Sequence, residues 1–238
     1  MEGIGSQRVT CEGLLSEPMA QFIDLCFHPP VRDDVEDALC RLVKSGGDPR
    51  RRIYGLIGLG RSQGSESLAL LWQLFRDRPA GVSDDDFSVV ITQLSKRVGP
   101  DLCVELLPFI DNKVHEGVRD RSELAISWFG DCRVWHPVLA RWQSVRDELV
   151  AIGRRDEALN QQVFTLSCYL SRMVKACDSR HLEPIVMDLR EVLPLLFEPA
   201  AHRLVEFWPA IGGDSLSQEL TPVVERVEVW MAEQREAL

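Results

Sequence analysis

The chain has 238 residues, 45% of them hydrophobic and 27% charged, with a formal net charge of −10. These are the fractions of a folded globular protein and exclude disorder along the whole chain. The acidic balance argues against a general grip on nucleic-acid phosphates, which calls for a surface rich in lysine and arginine. Seven cysteines without a CxxC pair, an N-terminus without a signal-peptide run, and no stretch of membrane-spanning length predict a cytoplasmic protein with reduced, mostly buried thiols.

Helical periodicity with frequent punctuation dominates the chain. Over 31–44, Val35, Leu39, Leu42 and Val43 form one stripe, and Ser45-Gly46-Gly47 stops it. Asp48 and Pro49 are a good N-cap and first helical residue, and that helix runs to residue 60. The next, 65–77, carries Leu68, Leu71, Trp72 and Phe75 on one side. Ser83 with Asp86 resembles a capping box and opens 84–98. The β-branched run at 87–92 has strand character, but Leu94 and Val98 continue a helical pattern, so it reads as helix. Gly99-Pro100 turns the chain into 101–111. Helices over 116–129, 135–152, 156–177, 184–197, 200–211 and 222–237 complete an all-α chain of about a dozen helices.

An internal repeat underlies this series. Shifting the chain by 70 residues aligns Arg51 with Arg121, Gly60 with Gly130, Trp72-Gln73 with Trp142-Gln143, and Arg76-Asp77 with Arg146-Asp147. Leu56, Leu59, Leu68 and Phe75 fall on Ile126, Phe129, Val138 and Val145, and Gly55 on Ala125. A third helical pair, 84–111, lies between the copies, and turn glycines at 60, 99 and 130 set a period of about 35 residues per pair. One such pair leaves an apolar stripe that only a neighbouring pair can cover.

Arg51, Gly55, Leu59 and Gly60, with Arg121, Ala125, Phe129 and Gly130, resemble the HEAT-like repeats of the bilin-lyase type. In these an arginine begins the first helix, a small residue sits in its middle and a Leu-Gly closes it. The resemblance implies a right-handed α-solenoid of about five to six stacked hairpins in a single domain over 1–238. It is clearest over 48–151 and less regular over 155–238. It is nearly silent on function.

The chemical constellations are weak. Gly58-Leu59-Gly60-Arg61-Ser62-Gln63-Gly64 has the glycines of a phosphate cradle but follows a helix, so it reads as an inter-helix turn. Cys132 with His136, and Cys26 with His28, offer too few ligands for zinc. No catalytic residue, metal or cofactor is therefore assigned. Trp72, Trp128, Trp135 and Trp142 could stack bases, as in the HEAT-like alkylpurine DNA glycosylases, with Asp131 as the acid beside them. The acidic charge opposes this, and Trp135, Val138, Leu139 and Trp142 read better as one buried stripe. Arg50-Arg51-Arg52 is either an anion contact or a set of pairs with acidic helix ends, and pairing is preferred.

The recurrence of Gln73, Arg76 and Asp77 as Gln143, Arg146 and Asp147 is harder to explain by core packing. Two explanations stand: a ligand face, or a structural Arg-to-Asp ladder between repeats. The expected function is a non-enzymatic module that binds another protein on a concave face, and the net negative charge suits a basic one. A toxin-neutralising immunity protein or adaptor would fit. Its rivals are a lyase or chaperone acting on a bilin or nucleobase, as the resemblance implies, and a structural subunit.

Overall fold

The computed structural model describes residues 8–111, 113–173, 176–177, 192–202, 225, 226, 228, 229, 232 and 233. Among them every regular element is helical: ten α-helices and several 3-10 turns. The chain gathers into two compact units, Met1–Leu102 with Asn112–Ser122, and Cys103–Asp111 with Glu123–Leu238.

The first unit holds α1 (Cys11–Ser16), α2 (Met19–Phe27), α3 (Asp33–Ser45), α4 (Pro49–Arg61), α5 (Ser65–Asp77) and α6 (Asp84–Val98). The second holds α7 (Cys103–Leu106), α9 (Trp135–Ile152) and α10 (Glu157–Met173), and α8 (Glu116–Phe129) leads the chain from one to the other.

Most boundaries follow the anticipated chemistry. Gly46, at φ 68°, ends α3 in the left-handed region. The Asp48 carboxylate accepts from the Arg50 N–H at 3.0 Å, with Pro49 first in α4. Ser83 and Asp86 form a true capping box, each side chain accepting from the other's N–H at 3.1 Å. The stretch 87–92 is helical.

Four expectations need correction. The helices α1 and α2 were not anticipated; Thr10 starts the first by accepting from Gly13 N–H at 3.1 Å. The expected helix over 101–111 is broken into a 3-10 turn (Gly99–Leu102), the four-residue α7 and a second turn (Leu107–Phe109). Pro100 and Pro108 each remove a backbone donor there. The helix expected over 156–177 ends at Met173. Gly60 lies inside α4 and makes no turn; a Cβ there would meet Gln93 of α6 at 2.4 Å, so the glycine serves close helix approach. The helical segments expected over 184–191, 203–211 and most of 222–237 lie outside the described residues.

In the first unit α4 packs against α2, α3 and α6, while α5 packs against α3 and α6. Helices two apart in chain order are thus neighbours, and their ends are tied by arginines. Arg61, last in α4, donates to the Phe27 carbonyl at the end of α2 across 34 residues. Arg97, in the last turn of α6, donates to the Leu59 carbonyl of α4 across 38. In the second unit Arg172, near the end of α10, donates to the Trp128 carbonyl of α8 across 44. Each tie satisfies helix-end carbonyls that lack an intrahelical partner.

Phe22, Leu39, Leu56, Leu59, Leu71, Phe87, Ile91 and Leu94 fill the first core, and Trp135, Val138, Trp142, Val145, Leu149 and Tyr169 the second. Each contributes about 1.5–3 kcal/mol by burial. The helices α5 and α9 begin at Ser65 and Trp135, and Leu56 and Ile126 are each 1% exposed.

Candidate functional site

On the first unit, α3 and α5 border a cleft of about 410 Å³. Asp37, Cys40, Arg41 and Lys44 line it from α3, and Glu66, Ala69, Leu70 and Gln73 from α5. It carries both signs of charge; Arg41 pairs with Asp37 at 3.0 Å along the helix. A neighbouring opening of about 530 Å³ is more acidic, lined by Asp33, Asp34, Glu36, Asp37 and Glu66 against Arg8. Two of these carboxylates already have work. Asp34 is held by Arg32 at 2.7 Å and by the Val9 N–H at 2.7 Å, which keeps its carboxyl below the ordinary range. Glu36 accepts from the Ser67 N–H at 2.6 Å.

Gln73 therefore lies on an exposed polar face. Arg76, one turn on, instead lies over the Trp72 ring, 4.5 Å from its centroid, and Asp77 is exposed at the end of α5. In the second unit Gln143 and Arg146 are half-buried and Asp147 is exposed. Arg146 lies over Trp142 at 5.9 Å and donates from Nε to Asp147 at 2.9 Å. The repeated arginine thus has a local cause: at four residues beyond a tryptophan it covers the indole. The Arg146–Asp147 bond joins consecutive residues of one helix.

The two tryptophans differ in surroundings. Trp142 is fully buried, its Nε1 donating to Ser167 Oγ at 3.0 Å. Trp72 is half-buried and packs edge-on against Phe75. The aligned arginines also differ: Arg51 donates to the Leu14 and Glu17 carbonyls at 2.6 Å and lies over Phe22, while Arg121 is exposed.

A polar cluster in the second unit was missed. Glu123, Arg141 and Gln162, from α8, α9 and α10, are 1%, 7% and 5% exposed. Arg141 Nε donates to Glu123 at 3.2 Å, and its Nη2 donates to Gln162 Oε1. The signal was present: Arg141 falls three residues after Val138 and four before Val145, on the buried stripe of α9. Such a core arginine requires partners.

The other constellations resolve into structural roles. Of the glycine-rich run expected as a turn, Gly58 to Arg61 lie in α4 and only Ser62-Gln63-Gly64 lead into α5, whose N-terminus is occupied by the Glu36 carboxylate; a Cβ on Gly64 would lie 1.5 Å from it. Arg97 closes the same turn, donating to Gly64 O at 2.8 Å and Ser67 Oγ at 2.6 Å. Of the arginine triplet, Arg51 caps α1, Arg52 lies 3.7 Å from Asp86, and Arg50 is exposed. The cations are thus dispersed among separate partners. Asp131 accepts from the N–H of Arg133 at 2.8 Å and its Nε at 2.7 Å, and that guanidinium holds its carboxyl below the ordinary range. Trp135 and Trp142 are buried with Val138 and Leu139, while Trp128 is 49% exposed. Among the described residues no group of three His, Cys, Asp or Glu is placed to hold a metal, and no helix is long and apolar enough to cross a membrane.

No protein-family model, curated protein or solved structure matches this chain.

Proposed function

We propose that the protein is a protein-interaction module: a right-handed HEAT-like α-solenoid of about five to six hairpins that binds a partner protein on its concave face. The observation that carries this reading is the series of arginine ties between helix ends, 34, 38 and 44 residues apart. Ties one repeat long favour a stack in which each hairpin touches its neighbours in sequence, and such stacks present long surfaces for partners. On this reading the α3–α5 face, with Gln73, is the part of the surface that meets the partner. The carboxylates beside it favour a partner of basic character, drawn in by charge complementarity. An adaptor or a toxin-neutralising immunity protein is the corresponding biological role, exercised in the cytoplasm.

Affinity capture with the full chain from its host, compared with a D37R/E66R/Q73R variant, tests the proposal. The three side chains are solvent-facing, so the variant is expected to keep the wild-type unfolding midpoint. Basic proteins enriched by the wild type should be depleted at least tenfold in the variant. An identical captured set with both proteins would overturn it.

A further inference from the structure

Residues 8–10 lead into α1 without helical structure, and Thr10 is extended at φ −121°, ψ 160°. One hydrogen bond secures this short strap to α3: the Val9 N–H donates to the Asp34 carboxylate at 2.7 Å, across 25 residues. The Arg32 Nε, donating to the other oxygen of that carboxylate at 3.0 Å, holds it in place. The strap and α3 border an opening of about 250 Å³, with Arg8, Val9 and Thr10 on one side and Asp34, Asp37 and Arg41 on the other. Asp37 and Arg41 also line the α3–α5 cleft. In the acidic opening of about 530 Å³, Arg8 is the only cation among the described lining residues, set against Asp33, Asp34, Glu36, Asp37 and Glu66. The helix α1 is anchored separately, since Arg51 donates to its Leu14 carbonyl and to that of Glu17, each at 2.6 Å. Its seat on the fold therefore does not depend on the strap.

We propose that residues 8–10 are an autoinhibitory strap: Arg8 stands on the acidic face of α3 in place of a basic side chain of the partner, which must displace it to bind. The inference rests on the reading of the α3–α5 face as the seat of a basic partner. Two cations on the same carboxylates repel one another, so the face is fully open to a partner only when Arg8 has left it. The apparent affinity is then lowered by the fraction of molecules whose strap is open. The Val9–Asp34 bond is the latch. It is charge-assisted and made by the backbone, so it fixes where the neighbouring Arg8 lies.

The test measures binding of a fluorescein-labelled octalysine peptide to the full chain by fluorescence anisotropy. Val9→Pro removes the latch N–H without changing the net charge, and Val9→Ala, which keeps the N–H, is its control. Arg8→Ala removes the cation, and Arg50→Ala, at an exposed residue of α4, is the control of equal charge. V9P and R8A should each bind at least threefold more tightly than their controls. In the wild-type protein, saturating peptide should speed hydrogen exchange at the Val9 amide, read by NMR. Binding by V9P and R8A no tighter than by V9A and R50A would overturn the strap and leave the basic-partner reading standing. Exchange at Val9 unchanged by saturating peptide would overturn it in the wild type, without recourse to any variant's folding. Absence of binding by all five proteins would instead discard the basic-partner reading, and the strap's role with it.

Discussion

Arg61 donates from Nη1 to the carbonyl of Phe27 at 2.8 Å, so a side chain from the last turn of α4 closes the end of α2. The same guanidinium lies over the Phe27 ring, 4.8 Å from its centroid. Arg97 repeats the first of these bonds one helix pair later, and it also holds Gly64 and Ser67 at the entrance to α5.

Arg97→Met keeps the aliphatic stem and removes three donations. Hydrogen bonds to a charged group are worth about 1.5–3 kcal/mol, and a loss of that order is expected in the urea unfolding free energy. Arg97→Lys should recover only part, because an ammonium lacks the planar fork that reaches three oxygens at once. Full recovery by lysine would show that charge alone matters here.

Trp142 and Trp72 align in the sequence at a shift of 70 residues but lie at different depths. Trp142→Ala is expected to cost about 3–5 kcal/mol, as for a fully buried aromatic. Trp72→Ala should cost clearly less, since its half-buried ring retains solvent contact. Ser167→Ala leaves the buried Trp142 Nε1 without its acceptor and should cost about 1–3 kcal/mol. Chemical denaturation of the three variants ranks them.

Glu123→Gln keeps shape but leaves the Arg141 charge uncompensated in the core. A loss on the order of 3–5 kcal/mol is expected. The double replacement E123M/R141M removes both charges and should be less destabilising than Glu123→Gln alone. A double variant worse than the single one would mean that the pair stabilises the fold in its own right.

Asp131 titrates below the ordinary value of 3.8 because Arg133 favours its ionised form. Its folded pKa is depressed, so its contribution to stability is present above that ordinary value and fades as the pH falls toward the lower folded one. Asp131→Asn should therefore show a shallower loss of unfolding midpoint below pH 3.8 than the wild type does. Parallel midpoint curves for the two proteins across that range would refute the assignment.

Gly60→Ala should destabilise the first unit by about 1–3 kcal/mol, the usual cost of overpacking. The added Cβ meets the Gln93 side chain of α6, which is only 5% exposed. Gly60→Ala combined with Gln93→Ala should fare better than Gly60→Ala alone.

The helices from α3 to α6, and α8 and α9, were legible because their signals are local. Asp48-Pro49, the Ser83 and Asp86 pair and the stop at Gly46 act within one turn of the backbone, and apolar spacing records which side is buried. The 70-residue alignment of Trp72 with Trp142 is a property of the sequence, whereas the structure buries Trp142 fully and Trp72 only by half. The candidate face was legible only in part: periodicity put Gln73 outside the core, but only packing set it along one cleft with Asp37 and Lys44 of α3.

Tertiary structure alone decided what each polar side chain does. Arg51 and Arg121 align in sequence, yet one closes α1 and the other is exposed, because a long flexible side chain takes its role from whichever carbonyl is within reach. Glu123, Arg141 and Gln162 meet from three helices whose spacing in the chain carries no mark of the meeting. Apolar burial is a property of one helix face and can be read from its period. Hydrogen bonds join specific atoms across elements, so their pairing exists only once the helices have packed.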